Sequence, residues 1–333
     1  MPNIVFGRRV RVTIYVADDA PQSAYVFENN LMEGKRGFRI TGKVSKYFAI
    51  QPPEATVDIY NLSPIEMANI MSARYVKNGN QFSERELRIK IEAGYNNSLF
   101  GTIFDGQILK PNMVRPDANN TILRLTCIDG SNFIAAGSSL TQTFNDGMNF
   151  YAVAQQIHDN SDVDYSLVLS DSLKNIRVDG SFVSSNGDYS SLRNIAEETD
   201  CVFSYRNGTA YIQTLREMLE SEQDAFVLNS NTGLIGIPML NDDGVSIQSV
   251  LNPNYDILKI VQINNAEISI NQPEYLNNRE LGAWLSSDGL YRIIELTHNF
   301  DTTTGAFTSD MRCLARDYYN ILEDYEESIN NES

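Results

Sequence analysis

The feature that most limits how this chain can fold is a two-residue alternation of apolar and polar side chains that fills both ends of the sequence and is missing from its middle. Val10-Arg11-Val12-Thr13-Ile14-Tyr15-Val16, Phe38-Arg39-Ile40-Thr41, Ala55-Thr56-Val57-Asp58-Ile59-Tyr60 and Leu87-Arg88-Ile89-Lys90-Ile91-Glu92-Ala93 all alternate. Successive side chains of a strand point to opposite faces, so such runs place one face in a core and the other in water, as antiparallel sheets do. Further strands are predicted over residues 99–104 and 121–128. The signature returns from Phe226, in residues 258–263, 289–296 and 307–314.

A helix start interrupts the first block at Leu62-Ser63-Pro64-Ile65-Glu66-Met67. Ser63 suits the N-cap, Pro64 the first helical position and Glu66 the reciprocal capping partner, with Leu62 stapled to Met67. The helix is predicted to reach about Tyr75, followed by a polar loop Lys77-Asn78-Gly79-Asn80. In the middle stretch the period changes. Asp146-Gly147 is read as the cap of a helix with Tyr151, Ala154, Ile157 and His158 on one face, and Ser190 or Ser191 as the cap of another with Leu192, Ile195 and Ala196. Asn207-Gly208 suits the positive φ angles of a tight hairpin turn, and residues 215–224 read as a polar segment. The expected layout is mainly β with an α+β middle region: residues 1–130 with a helical insertion near 63–76, an α/β region over 131–225, a second β region over 226–318, and an acidic tail over 319–333 in which residues 318–322 form a short docking helix.

Composition excludes several roles. With 43 acidic against 26 basic side chains the net charge is −17, a field that repels nucleic acid and anionic lipid. The longest apolar run, residues 234–240, is broken by Gly236 and Pro238 and is far short of the roughly 20 residues a bilayer span needs, so no membrane insertion is expected. Met1-Pro2-Asn3-Ile4-Val5-Phe6-Gly7-Arg8-Arg9 carries its charges after a very short apolar patch, the reverse of a secretory leader, which predicts a protein made and kept in a cytoplasm. Cys127, Cys201 and Cys313 lie too far apart for a metal knuckle or a redox pair and are read as reduced core residues.

The chain shows no nucleophile elbow, phosphate loop, zinc-binding His-Glu-x-x-His or calcium loop. His158 and His298 are its two histidines. The first falls on an apolar helix face and reads as a packed boundary residue; the second ends a strand and reads as a structural hydrogen-bonding group. Neither is assigned as a general base. Arg8, Arg9 and Arg11 form the one tight basic cluster, a solvated strand end that could also meet an acidic rim on a neighbour. Trp284 is expected to anchor a core or interface. Paired carboxylates for glycoside cleavage leave no sequence signature, so a glycan-binding or glycoside-cleaving role stays open on residues alone. No catalytic, cofactor or metal residue is assigned.

The two β regions share an order of parts. Residues 89–93 precede Gly101-Thr102-Ile103-Phe104 and then Leu123-Arg124-Leu125-Thr126-Cys127; residues 260–263 precede Gly289-Leu290-Tyr291-Arg292 and then Asp310-Met311-Arg312-Cys313. Two similar barrels per chain would let three chains form a ring of six similar units.

Gly233-Leu234-Ile235-Gly236-Ile237-Pro238, followed by Gly244-Val245-Ser246-Ile247-Gln248-Ser249-Val250-Leu251-Asn252-Pro253, resembles the last barrel of phage baseplate hub proteins. So do Gly289-Leu290-Tyr291-Arg292-Ile293-Ile294 with His298-Asn299-Phe300-Asp301, and Val57-Asp58-Ile59-Tyr60-Asn61-Leu62-Ser63 with Ala93-Gly94-Tyr95 and Asp105-Gly106. The resemblance is to the hubs of contractile tails and is similar to the N-terminal part of type VI secretion spike proteins. It implies two tube-like antiparallel β-barrel domains flanking a smaller α/β region, in a homotrimer that is a structural virion component and not an enzyme. Its implied partners are the tail tube protein, the spike protein, the tape-measure protein and other baseplate proteins, with DNA only in transit through the channel and no cofactor. Assembly would take place in the host cytoplasm, and spike and wall-degrading activity would sit on other polypeptides. The acidity then suits a channel wall that lets phosphate slide past. A non-contractile tail tip or a secretion-system hub is the alternative within the class.

Overall fold

A computed structural model of the protein describes residues 7–316 other than 17–23, 30–36, 49–50, 79–80, 97–98, 136–140, 186, 221–223, 242–243 and 271–284. The first block contains β1 (Arg8–Tyr15), β2 (Ala24–Glu28), β3 (Ile40–Tyr47), β4 (Glu54–Tyr60), α1 (Pro64–Ala73), β5 (Tyr75–Asn78), β6 (Gln81–Glu84), β7 (Leu87–Tyr95), β8 (Phe100–Val114) and β9 (Ile122–Ile128). The middle stretch holds α2 (Ser131–Ala135), β10 (Gln142–Asn145), α3 (Phe150–Asp159), β11 (Ser166–Leu169), β12 (Ser181–Ser184), α4 (Asp188–Glu198), β13 (Val202–Arg206), β14 (Thr209–Gln213) and α5 (Leu215–Glu220). The last block runs through β15 (Ala225–Val227), β16 (Leu234–Asn241), β17 (Gly244–Val250), β18 (Ile260–Gln262), β19 (Ser269–Ile270), β20 (Leu290–Asp301) and β21 (Phe307–Ala315). The chain is mainly β with antiparallel pairing dominant, as the alternation predicts. Val10, Val12 and Ile14 of β1 and Leu87, Ile89, Ile91 and Ala93 of β7 are buried while the residues between them are not fully so, except Thr13.

The capping box at α1 forms as read. Glu66 N–H donates to Ser63 Oγ at 3.2 Å and Ser63 N–H to Glu66 Oε2 at 2.9 Å. Ser63→Ala removes the acceptor of the Glu66 N–H and the hydroxyl that donates to Glu66 Oε2 at 2.7 Å, and is expected to cost about 1 kcal/mol in chemical denaturation; an unchanged midpoint would show that packing of Met67 and Ile70 alone holds the helix.

Local readings fail where a better partner lay nearby. The helix stops at Ala73, and Lys77 and Asn78 of the polar loop expected at residues 77–80 belong to β5, Gly79 and Asn80 lying outside the described residues. Helix α3 is capped by Asn149, whose Oδ1 accepts the Ala152 N–H at 2.8 Å, and not by Asp146-Gly147. Helix α4 starts at Asp188, so neither Ser190 nor Ser191 is its cap; Ser191 is buried and its hydroxyl donates back to Gly187 O at 2.9 Å. The stretch read as a polar segment contains α5, with Met218 and Leu219 buried and a second capping box, Thr214 with Glu217, at its start. The strand predicted over residues 258–263 shrinks to β18 because Leu258 takes a φ of +69°. The Asn207-Gly208 turn stands as predicted, with φ of +50° and +74° joining β13 to β14.

Three hydrophobic clusters form: one under the first block, one in the middle stretch built on Phe133, Ile157, Leu192 and Phe203, and one under the last block. The two β blocks share one strand path, β19-β16-β17-β21-β20-β3-β4-β9-β8-β7-β1-β2, open at both ends. Two separate closed barrels were the expectation; among the described residues no barrel closes, because the edge of β3 that would close one is used to pair β20 of the other block.

The repeat read from the shared order of parts extends to the whole strand order. In the first block the order is β3-β4-β9-β8-β7-β1, and in the last it is β16-β17-β21-β20-β18-β15. The blocks agree even in an irregularity. Ile108 pairs Cys127 and the ladder then skips Leu109; Ile293 pairs Cys313 and the ladder then skips Ile294. One extra residue at the same place in two ladders bends both strands alike. The copies differ at one margin, where β1 runs antiparallel to β7 but β15 runs parallel to β18.

Candidate assembly seam and the junction of three blocks

β20 is 12 residues long because it serves two neighbours. Its first residues pair β18, and after the bulge at Ile294 its remainder, Glu295 to Asp301, pairs β3 from Tyr47 to Thr41. The Phe48 N–H donates to Ile294 O at 2.9 Å, so the bulge itself ties the blocks together. Gly42 on β3 is required here. A Cβ at that position would lie 2.5 Å from Phe300 Cζ and would also meet the Thr56 carbonyl.

Beside this ladder lies a polar junction. Lys46 Nζ meets Asp256 Oδ1 at 3.1 Å, Asn207 Nδ2 donates to Asp256 Oδ2 at 3.3 Å, and the Asn207 N–H donates to Asp129 Oδ2 at 2.8 Å. Four residues thus link the first block, the middle stretch and the last block. Burial works against the Asp256 carboxylate, but the Lys46 ammonium and hydrogen bonds from Lys46, Ile257 and Asn207 outweigh it and hold its pKa below the ordinary value. Asp129 goes the other way. Burial raises its pKa to about 6, and the Asp105 and Asp256 carboxylates add to the rise against the Asn207 hydrogen bond and Lys46. A raised carboxyl pKa means that the folded state holds the proton longer, so ionising Asp129 lowers stability as pH climbs from about 4 to 6. Asp129→Asn is expected to remove that fall, a gain of about 2–3 kcal/mol at pH 7 at one pKa unit per 1.4 kcal/mol, visible as a flatter plot of denaturation midpoint against pH. A plot parallel to the parent's would show that other groups set it.

The residues singled out in the sequence are absorbed into structure. His298 is fully buried under the seam; its Nδ1 lies 2.9 Å from Ser309 Oγ, and burial, with Lys46 nearby, lowers its pKa to about 3. A Ser-His pair of this kind has no access for a substrate, and Ser309 Oγ also accepts the Asn252 N–H at 3.2 Å. The structural reading of His298 stands. His158 Nε2 is 2.8 Å from Tyr165 O, and its ring meets that of Tyr165 edge-on.

The arginine cluster finds its acids within the chain. Arg9 and Arg11 share Glu28, Arg11 also approaches Glu92, and Arg8 donates to the carbonyls of Asp301 and Gly305 at 2.8 and 2.7 Å. Arg39 joins Asp301 at 3.1 Å; despite the cost of burial, the Thr303 hydrogen bonds and Arg39 bring the Asp301 pKa down to about 2. Cys127 and Cys313 are buried core thiols, raised in pKa by burial, while Cys201 is half-buried. Trp284, the acidic tail and the docking helix expected at residues 318–322 lie outside the described residues.

An open cleft of about 330 Å³ flanks the seam, lined by Tyr47, Phe48, Gln51, Ile294, Glu295, Arg312 and Leu314. Glycoside hydrolysis takes two carboxylates. This lining supplies one, Glu295, and Arg312 holds it at 2.8 Å. Among the described residues no cluster of His, Cys, Asp and Glu has the form of a metal site, and no helix is long and apolar enough to cross a membrane.

Two ion pairs, Lys46 with Asp256 and Arg39 with Asp301, join the first β block to the last. The family described as baseplate hub gp41 matches this chain over residues 9–275, and the chain belongs to that family of structural tail baseplate proteins. No curated protein matches it. Among solved structures it is similar to the 43 kDa tail protein of prophage MuSo2 from Shewanella oneidensis, with a TM-score of 0.53 at 7% identity over 92% of this chain and 97% of that one. The tail protein from Neisseria meningitidis MC58 gives 0.52 at 10% identity, covering 94% and 98%. A chain of the lidded Francisella PdpA-VgrG complex gives 0.54 at 10% identity, covering 95% of this chain and 54% of that one. At such identities the likeness is one of fold.

Proposed function

We infer that this protein is the hub of a contractile phage tail, a homotrimer that joins a hexameric tail tube to a trimeric spike and encloses the channel through which DNA and the tape-measure protein pass. The observation that carries the reading is the repeated strand order with its matched bulges, since two like blocks per chain let three chains present six like faces. In this reading residues 1–130 and 226–318 are tube-like barrel domains that complete their curvature against neighbours, 131–225 is a peripheral α/β domain, and 319–333 is a tail. The protein is not an enzyme; it takes no cofactor, and its work is geometric. Its partners are the tube protein, the spike, the tape-measure protein and other baseplate proteins, met during assembly in the host cytoplasm. The charge of −17 supports a lumen that repels phosphate. A second reading within the class, a secretion-system hub, has the likeness to the VgrG chain in its favour. Electron cryo-microscopy of tails carrying a labelled copy of the chain decides: three copies in a pseudo-six-fold ring around an open channel support the hub, and a peripheral or single copy refutes it.

A further inference from the structure

We propose that the cleft beside the β3–β20 ladder is the berth of the chain's own C-terminal segment, Tyr318-Tyr319-Asn320-Ile321-Leu322, which folds back from β21 and clasps the two β blocks together at their joint. The clasp concerns a single chain and stands whether or not three of them form a ring.

The cleft belongs to the outer face of the sheet. Tyr47 pairs Glu295 and Glu295 pairs Arg312, so these side chains project from the face opposite Lys46, Leu296 and Met311, which are buried beneath. The extra residue at Ile294 bends β20 there, and Phe48 arrives from the strand end that hydrogen-bonds the bulge. The apolar walls, Tyr47, Phe48, Ile294 and Leu314, come from both blocks, and the ion pair in the lining, Glu295 with Arg312, closes on itself at 2.8 Å. Such a lining takes an apolar, uncharged guest, because a further charge would be desolvated against a pair that is already satisfied. At about 330 Å³ it stands at the small end of ligand pockets and has room for a few side chains, not for a domain.

Connectivity identifies the guest. Leu314 already lines the cleft, β21 ends at Ala315, and Arg316 is still held, its N–H donating to Leu290 O at 3.0 Å and its guanidinium meeting Asp288 at 3.3 Å. The chain thus leaves the sheet at the margin of the cleft. From Arg316 back to Arg312 is about 13 Å at about 3.3 Å per residue, so a reversal at Asp317 and Tyr318 brings Tyr319, Ile321 and Leu322 over the apolar walls. Within residues 317–333 the segment 318–322 is the one richest in apolar side chains and carries no charge; Glu323-Asp324-Tyr325-Glu326-Glu327 follows and is carried past the cleft into water. A guest seated across Phe48 and Ile294 touches both blocks, and it shields the hydrogen bond from the Phe48 N–H to Ile294 O that ties them.

Benzoylphenylalanine substituted for Gln51, an exposed residue of the cleft wall, and irradiated in the purified full-length protein is expected to join the peptide containing residues 318–322 of the same chain. Mixing isotopically light and heavy protein before irradiation separates a bond within one chain from a bond between copies. Ile321→Asp combined with Leu322→Asp is expected to keep the circular dichroism spectrum of the parent, to abolish the crosslink and to speed hydrogen exchange of the Phe48 amide at least tenfold; a chain ending at Asp317 should exchange as fast. A crosslink to a second copy or to another part of the chain, or no crosslink, overturns the clasp, as does Phe48 exchange that neither variant changes. A crosslink formed only in assembled tails, to another polypeptide, assigns the cleft to a partner and overturns it too. The hub reading is decided apart from all of these, by the number of copies around the tail axis.

Discussion

Phe133→Ala is expected to lower the stability of the middle stretch by about 3–5 kcal/mol, the usual loss when a buried phenylalanine is cut to alanine. Phe133 sits on α2, a helix of five residues that could not persist alone. Its ring lies between those of Tyr165 and Tyr205, with centroids 4.4 and 4.7 Å away, and meets Tyr189 edge-on at 5.7 Å. Tyr205 in turn packs over Gly130, where the chain leaves the first block with a φ of +74°. Removing the phenyl ring opens a cavity at the point where the middle stretch is fastened to the sheet. In urea the middle stretch should then unfold as a separate early transition followed by near-ultraviolet circular dichroism, while Phe133→Leu should lose much less. One transition at the parent midpoint would show that the neighbouring rings collapse into the space.

Lys46→Met is expected to cost about 2–3 kcal/mol at pH 7. It keeps the aliphatic stem but strands the Asp256 carboxylate among the buried groups of the junction. Breaking a fully buried pair costs about 3–5 kcal/mol, and the lower figure allows for the 28% of the Asp256 side chain that still meets solvent. The sign with pH follows from the depressed pKa of Asp256. The stabilisation is complete above the ordinary aspartate range and is lost as pH falls through the folded value, so the gap between parent and variant should narrow in acid. Adding Asp256→Asn to Lys46→Met should restore part of the loss, and a double-mutant cycle measures the coupling. Additive single losses would mean that Lys46 acts through its stem alone.

What the sequence revealed and what it hid divide along a physical line. β1, β7, β9 and β21 were legible because one face is buried and one wet, which writes a period of two into the chain. α1 was legible because its cap, Ser63 with Glu66, is local. The same local logic applies at Thr214 and Glu217, where the capping box stands in the sequence but is masked by its polar neighbours. β16 was obscured by the Gly236 and Pro238 bulge, which breaks the alternation. The junction was invisible. Lys46, Asp129, Asn207 and Asp256 are ordinary surface types in four distant places, and only tertiary contacts bring them together. His298 was half legible, for its spacing from Leu296 and Phe300 places it on the buried face, while its partner Ser309 belongs to the next strand.

The β3–β20 ladder has a consequence for the chain's synthesis. Residue 41 meets residue 301, so at about 5–20 residues per second β3 waits roughly 10–50 s for its partner to be translated. During that interval its outer edge is an unpaired strand with Val44 next to it in the core, able to accept any passing strand, including one from a neighbouring nascent chain. Faithful synthesis therefore depends on the last strands arriving before a stranger does, and slowed translation of the final third should send more of the protein into inclusion bodies than the same slowing applied earlier.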